Sequence, residues 1–166
     1  NGVSLVPDHI EQIDGEYRLW LSGFNGSSWK IGWATSSDGL SWILEEEPKF
    51  TSGAPGDWDD SSVKDATIRR TGDNIQKWYS GFDGNTWRIG YAVTNSSEEW
   101  LRTFDPITNA PRSIISEQGL FYSTGVQRPR YTSSADGYHL YYAGIQQEKS
   151  RVGRATGIYP TNLRPI

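Results

Sequence analysis

The chain has 166 residues, which is long enough to bury a hydrophobic core in one domain. Its formal net charge is −4 without a basic block, which disfavours a nucleic-acid partner, and no apolar run is long enough to span a membrane. Aromatic residues make up 13% of the chain, which argues against disorder, and the absence of Cys excludes disulfides, thiolate catalysis and Cys-ligated zinc.

Three similar stretches follow one another along the chain. Residues 19–34 (LWLSGFNGSSWKIGWA) align without gaps with residues 77–92 (KWYSGFDGNTWRIGYA), 58 positions later. Residues 140–155 (LYYAGIQQEKSRVGRA) follow the second stretch by 63 positions. Self-similarity at a fixed period is typical of repeat architectures, so we predict three copies of one supersecondary unit.

Each copy contains short runs rich in aromatic and β-branched residues, which predict β-strands. The turns Asn25-Gly26, Asp38-Gly39 and Asp83-Gly84 are predicted hairpins, since both residues of such a pair can adopt positive φ. Ser97–Arg102 is predicted to form one short helical turn, and Ile158–Ile166 either to add an outer strand or to reach across to a partner chain. The strands predicted for the second copy are Val63–Arg69, Lys77–Gly81, Arg88–Thr94 and Trp100–Phe104.

Four antiparallel strands that recur every 58–63 residues are typical of β-propeller blades. We therefore predict an all-β fold with one propeller-like domain over residues 1–166 and blades at about 3–50, 58–108 and 121–166. Trp and Tyr in the strands are expected to pack blade against blade, and burial of each ring contributes at most about 2–5 kcal/mol. Because propellers usually have about 4–8 blades, this arc is partial, or is completed by other copies or by a neighbouring chain.

Four motifs in these copies are distinctive. They are A-T-S-S-D-G-L-S-W at 34–42, V-x-D-x-T-I at 63–68, W-Y-S-G at 78–81 and R-I-G-Y-A at 88–92. Together they resemble the five-bladed propeller glycosidases, the clan of glycoside hydrolase families 43, 32 and 130, and 56–68 is similar to the start of an inner strand in that clan. The resemblance covers all three copies and implies the fold more specifically than an activity, because the repeated motif is mostly architectural.

The resemblance implies that carboxylates on the inner strands of successive blades carry the chemistry, since an acid and a second carboxylate cleave a glycosidic bond. Asp65 occupies this slot in the second copy and is the candidate catalytic residue. The first copy has Pro7 in the slot with Asp8 next to it, and the third has Arg128, which cannot act as an acid. No Glu occupies a matching position, so the catalytic set is broken here or its acid lies on other blades.

Candidate ligand-binding residues are charged and aromatic side chains expected near the centre or the mouth of the propeller. For the aromatic residues the alternative role is packing between blades, for Asp65 it is capping of backbone amides, and for Arg128 it is an ion pair between blades. No cofactor is predicted, and calcium bound by Asp57, Asp59 and Asp60 is the alternative to a solvated acidic loop. The candidates are Trp58, Asp59, Asp65, Phe121, Arg128 and Tyr131.

Three functions fit these observations. The first is a non-catalytic, glycosidase-like propeller module for carbohydrate binding or structural assembly. The second is part of a glycoside hydrolase or phosphorylase acting on oligosaccharides, and the third is a structural module of a phage or cell-surface assembly. We favour the first, which implies no enzymatic activity of its own, and carbohydrate and other chains or copies as partners. The sequence does not assign a compartment, and a location outside the cell or on a particle surface is favoured.

Overall fold

The protein is described by a computed structural model over residues 4–94, 99–108, 110–115, 125–146 and 149–165. These ranges contain twelve β-strands and no helix, which confirms the predicted all-β fold. The described residues accordingly include no helix long and apolar enough to cross a membrane. The strands are β1 (Ser4–Ile13), β2 (Glu16–Phe24), β3 (Trp29–Ser36), β4 (Ile43–Leu44), β5 (Ser62–Thr71), β6 (Asn74–Phe82), β7 (Trp87–Thr94), β8 (Leu101–Arg102), β9 (Gly125–Ser134), β10 (Gly137–Gln146), β11 (Lys149–Gly157) and β12 (Arg164–Pro165).

The strands form three four-stranded units, which we call the first (β1–β4), second (β5–β8) and third (β9–β12) blades. Within each blade, consecutive strands pair antiparallel in chain order. The second and third blades also join through one parallel pairing of Trp87 with Gly125. A Cβ at Gly125 would lie 2.7 Å from the Trp87 carbonyl oxygen, so this close approach requires glycine.

The short outer strands correct one expectation about the second blade. Leu101 and Arg102 pair with Val93 and Ala92, so they extend as β8 instead of forming the predicted helical turn, while Ser97 lies outside the described residues. At the other end of the chain, β12 pairs with β11, which confirms an outer strand within Ile158–Ile166.

The hairpin turns between the second and third strands differ from the predicted type because a side chain caps each of them. Gly26 and Gly84 have positive φ (98° and 89°), but Asn25 and Asp83 do not. The Asn25 side-chain oxygen accepts hydrogen bonds from two backbone amides of its own loop, and Asp83 does the same in the second blade. These loops are therefore four-residue Asx turns, since the side chain supplies the acceptor that a two-residue turn would take from the backbone.

The core lies between the blades, where sheet faces pack on each other. Aromatic side chains of the middle strands are central to both contacts, as predicted: Trp20 lies buried between the first and second blades, and Trp78 between the second and third. The first contact buries Trp20, Ile31, Trp33 and Phe50 against Val63, Ala66, Ile68, Tyr79 and Ala92. The second buries Trp78, Ile89, Tyr91 and Ile115 against Val126, Leu140, Tyr142, Ala155 and Leu163.

Candidate functional site

The first strand of each blade is interrupted by a β-bulge. The pairing of β5 shifts between Lys64 and Thr67, and that of β9 shifts opposite Tyr142. Asp65 and Arg128 lie in these two bulges and both adopt left-handed backbone conformations, with φ of 59° and 57°. Non-glycine residues rarely adopt this conformation, so the shared strain shows that Asp65 and Arg128 occupy equivalent positions on neighbouring inner strands.

In the first blade the bulge has a different form. Pro7 lies in register with Asp65, but the pyrrolidine ring holds φ near −65° and excludes the left-handed conformation. The register shifts one residue later, and Asp8 supplies the carboxylate instead. Ser22 Oγ donates a 2.6 Å hydrogen bond to Asp8 Oδ2, just as Ser80 Oγ donates a 3.0 Å bond to Asp65 Oδ2.

The same two serines connect each blade to the next, and we call them the serine bridges. The Asp65 amide donates to Ser22 Oγ at 2.8 Å, and the Arg128 amide donates to Ser80 Oγ at 2.8 Å. The third blade has Ala143 at the equivalent register position, opposite Gln127. The bridging hydroxyl and the carboxylate are therefore absent from the third blade together.

Charges on the three inner strands act on one another. Burial raises the pKa of Asp8 to about 6; the Asp65 charge also raises it, while Ser22, the Ala66 amide and Arg130 lower it. Burial lowers the pKa of His9; the Glu11 charge raises it in part, and the Arg130 charge lowers it. The Ala66 amide of β5 donates a 3.1 Å hydrogen bond to Asp8 Oδ2 of β1, and Ser80 Oγ links Asp65 of β5 to the Arg128 amide of β9, so the three inner strands adjoin one another here. We call Asp8, Asp65, Arg128 and Arg130 the axial cluster.

Aromatic rings lie next to this cluster, at the hairpins between the second and third strands of the first two blades. Phe82 stacks on Trp87 at 4.7 Å between ring centroids, and an equivalent pair with a 5.2 Å separation includes Trp29. Lys64 Nζ lies 4.4 Å from the Trp87 ring centroid, 5.7 Å from that of Trp29 and 3.6 Å from Asp65 Oδ2. We call the partly exposed Trp29, Lys64 and Trp87 the mouth cluster.

Sequence reasoning did not select the mouth cluster. A signal was available, because Trp29 and Trp87 recur 58 positions apart, each shortly after a Phe and a Gly-containing turn. Their exposure and the position of Lys64 between them depend on the packing of two blades. A pattern in one strand does not contain that information.

The structure does not bring Trp58 and Asp59 to the axial cluster. Trp58 stacks on Tyr79 with centroids 5.7 Å apart, and a Cβ at Gly81 or Gly90 would collide with its ring. Asp59 is 0% exposed and its Oδ2 accepts hydrogen bonds from Tyr79 Oη and Arg102 Nε, each at 2.9 Å. Both side chains pack against the second blade. For Trp58, packing is the alternative to ligand binding that the sequence analysis considered.

The other sequence candidates have mixed positions. Tyr131 stacks on Trp78 with centroids 4.5 Å apart and planes 3° from parallel, so its ring packs between the second and third blades. Phe121 lies outside the described residues. Asp57 and Asp60 accept hydrogen bonds from backbone amides of their own loop, and the described ranges contain no cluster of three or more metal-ligating side chains.

The sequence matches no protein-family model and no curated protein. Solved structures do match. A complex of BT0996 with RGII superposes with a TM-score of 0.79 at 14% identity, with 99% of this chain on 56% of that protein. Zg3597, a family 117 glycoside hydrolase from Zobellia galactanivorans, superposes with a TM-score of 0.78 at 16% identity, and the match covers 96% of this chain and 54% of that one.

Fructan 1-exohydrolase IIa from Cichorium intybus gives a TM-score of 0.75 at 16% identity, and 96% of this chain covers 31% of that one. The chain therefore spans about half the length of the first two structures. It has the fold of these glycoside hydrolases over that span, which confirms the resemblance to propeller glycosidases at the level of fold.

Proposed function

We propose that this chain is a glycosidase-like propeller module that binds carbohydrate between the mouth cluster and the axial cluster, without cleaving it. The observation that carries the proposal is the position of Lys64, which contacts the face of Trp87 and the carboxylate of Asp65. Small-ligand sites combine aromatic surface with a few polar groups that converge on it. An aromatic ring packs on the apolar face of a sugar, while carboxylates and guanidinium groups bind its hydroxyls.

The charges on the inner strands support binding without cleavage. The third blade has Arg128 where the second has Asp65. The described inner strands β1, β5 and β9 contain one Glu, which is Glu11. It accepts hydrogen bonds from Arg70 and from Trp20 Nε1. Burial raises the pKa of Glu11, but these bonds lower it below its ordinary value overall, which is the wrong direction for a general acid.

One observation favours hydrolysis as a second candidate function. Asp8 has a pKa raised to about 6 beside the carboxylate of Asp65, and a raised pKa is what a general acid needs. Release of the aglycone from aryl glycosides by the purified chain, abolished in both D8N and D65N, would establish this second function. Binding without turnover would support the first.

The binding proposal is tested on a glycan array, followed by calorimetry with the best ligand. We expect W87A to weaken binding by about tenfold or more, because stacking and burial on one ring contribute on the order of 1–2 kcal/mol. Y159A is the matched control, since Tyr159 is an exposed aromatic residue outside both clusters. Equal binding by wild type, W87A and D65N would contradict the proposal, as would the absence of any bound glycan.

We further propose that a second copy of the chain packs against its end blades. Val152 in the third blade is 82% exposed, whereas Ile89, in register with it in the second blade, is 0% exposed. Leu5 in the first blade is 51% exposed, whereas its counterpart Val63 is 0% exposed. The exposed face of the third blade therefore corresponds to the face of the second blade that packs on the third. The exposed face of the first blade corresponds to the face of the second blade that packs on the first.

Native mass spectrometry tests this association. We expect complexes of two or more copies in wild type, and we expect monomers in V152D and L5D, because a buried unpaired charge disfavours the contact. I107D is the matched control, since Ile107 is 92% exposed in a loop outside both faces. A monomeric wild type would contradict self-association and leave the glycan-binding proposal to its own test.

A further inference from the structure

We propose, on the basis of the carbohydrate site above, that its ligand is an acidic sugar whose carboxylate binds Arg128 and Arg130. Both arginines belong to β9, and both are exposed. The inner strands of the other two blades carry carboxylates at the corresponding place: Asp8, which is partly exposed, and Asp65, which is buried beside Lys64. The site therefore changes sign from one side to the other.

Most charged groups on the inner strands are already paired. Arg70 Nε lies 3.1 Å from Glu11, and Lys64 Nζ lies 3.6 Å from Asp65. Arg69 donates to the Gln76 side chain and to the Tyr138 hydroxyl. The remaining charged groups of these strands are Asp8, Arg128 and Arg130, with His9 beside them.

Neither arginine of β9 forms an ion pair with an acidic side chain of the described ranges. Arg130 donates one hydrogen bond to the Pro129 carbonyl, and Arg128 is held through its backbone amide by Ser80. One alternative for Arg128 was an ion pair between blades. Arg128 does not form such a pair with Asp65, whose carboxylate is paired with Lys64. Two guanidinium groups are thus left facing solvent.

The position of these groups relative to the carboxylates orients a ligand. Ser80 Oγ donates to Asp65 Oδ2 and accepts from the Arg128 amide, so the bulge of β9 adjoins the carboxylate of β5. Arg130 follows two residues later on the same strand, and its charge lowers the pKa of Asp8. A guanidinium group binds a carboxylate through two parallel hydrogen bonds, whereas Asp8 and Asp65 repel one. An acidic sugar therefore binds with its carboxylate towards β9 and its hydroxyls towards β1 and β5.

The chain as a whole carries a net charge of −4, which would repel an anionic ligand. Attraction must consequently be local, and it depends on Arg128 and Arg130. Because a hydrogen bond to a charged group is stronger than one to a neutral group, we expect the acidic form of a glycan to bind about tenfold or more tightly than its neutral form.

The experiment compares matched ligands by calorimetry. Trigalacturonate and a sialyl trisaccharide are each tested beside their methyl esters, which mask the carboxylate and leave the remaining sugar unchanged. We expect wild type to prefer at least one acid over its ester, R128Q/R130Q to lose this preference, and R128K to keep part of it, since lysine retains the charge but not the fork. R112Q is the matched control, because Arg112 is an exposed cation away from the site.

Two outcomes separate this inference from the proposed function. If the esters or neutral glycans bind as tightly as the acids, and W87A weakens them all, acid recognition is wrong and carbohydrate binding stands. If no glycan binds to wild type, the proposed function itself fails. A preference for the acid that persists in R128Q/R130Q, with its cooperative thermal unfolding intact, would overturn the assignment of these arginines.

Discussion

The two contacts between neighbouring blades solve the same packing problem with different residues. Between the second and third blades the contact is largely apolar and aromatic, and Trp78 stacks flat on Tyr131. Between the first and second blades it also encloses buried charged groups, with Asp59 and Lys77 each 0% exposed. The blade architecture therefore does not itself require an apolar interface.

Lys77 shows the difference most clearly. The strand register places Leu19 of the first blade and Leu140 of the third at the equivalent position. The Lys77 Nζ lies 3.3 Å from the Phe50 ring centroid and 3.5 Å from that of Trp100, and it has no hydrogen-bond partner among the described residues. Burial lowers its pKa well below the ordinary value, and the Arg102 charge lowers it further.

The contact between the first and second blades thus retains polar groups at a cost in stability. Buried charges are stabilising only as far as their partners compensate the lost hydration. Substitutions in this contact should consequently have large effects of either sign, while matched substitutions elsewhere should not.

The largest effect is expected for R102A. This variant leaves the buried carboxylate of Asp59 with only the Tyr79 hydroxyl, and removing one partner of a buried ion pair costs about 3–5 kcal/mol. R88A is the control, because the partly exposed pair of Arg88 and Asp83 should contribute only about 0–1 kcal/mol. Urea unfolding measures both free energies, and similar values for the two variants would contradict the proposed difference.

The pH dependence of D8N is the next largest expected effect. The folded-state pKa of Asp8, about 6, lies above its ordinary value of 3.8, so protonation stabilises the folded chain. This contribution is complete below pH 3.8 and disappears as the pH rises through 6, and it amounts to about 3 kcal/mol at 1.36 kcal/mol for each pKa unit.

Wild type should therefore gain stability relative to D8N when the pH is lowered from about 7 to about 4. Urea midpoints measured for both proteins across this range provide the test. A constant difference between them would show that Asp8 does not titrate in this window.

A smaller effect of opposite sign is expected for K77L. Replacing an unpartnered amine by the residue found in the other two blades should stabilise the chain by about 1–3 kcal/mol. L140K is the reciprocal variant and should destabilise the second contact. The gain from K77L should shrink as the pH approaches about 10, because the lowered pKa of Lys77 means that the unfolded chain binds its proton more tightly than the folded chain, and that difference disappears once the unfolded chain also loses the proton.

Thermal unfolding at several pH values measures this gain. If K77L is less stable than wild type at every pH, the contacts of Lys77 with the rings of Phe50 and Trp100 stabilise more than burial of the amine costs. That result would reverse the interpretation of the contact as one that sacrifices stability.

The smallest effect concerns the serine bridges. S80A removes the hydroxyl that donates a hydrogen bond to Asp65 and accepts one from the Arg128 amide. We expect the free energy of unfolding to fall by about 1–2 kcal/mol. A143S is the control and should have little effect, because the third blade has no carboxylate for the new hydroxyl. Equal stability of S80A and wild type in urea unfolding would show that the bridges do not connect the blades energetically.

Much of the fold follows from local pattern. The predicted strand Val63–Arg69 lies within β5, and Lys77–Gly81 lies within β6, because alternation and β-branched residues are properties of each strand itself. Turn type was harder to predict, since Asn25 and Asp83 cap their loops with side chains. The dipeptides are the same in either conformation, and the surrounding loop length decides between them.

The candidate site was predictable in part. Asp65 and Arg128 were placed in equivalent slots by alignment of the copies, and the structure places them in equivalent bulges. Trp58 was selected for its recurrence, but recurrence alone does not separate an exposed ring from one packed over glycines. The roles of these residues in binding remain predictions that the variants above test.

Sequence alone was enough to identify the long strands of the second blade, which positions correspond between blades, and that the third blade carries a cation where the second carries an acid. Three-dimensional packing was needed to establish that Asp8, one residue beyond the Pro7 slot, takes the hydrogen bond from Ser22 that corresponds to the bond from Ser80 to Asp65, since the register shifts there and proline cannot adopt a positive φ. Packing also determines which charges are paired and which are free. Those properties depend on the distance between side chains of different blades, and no single strand encodes that distance.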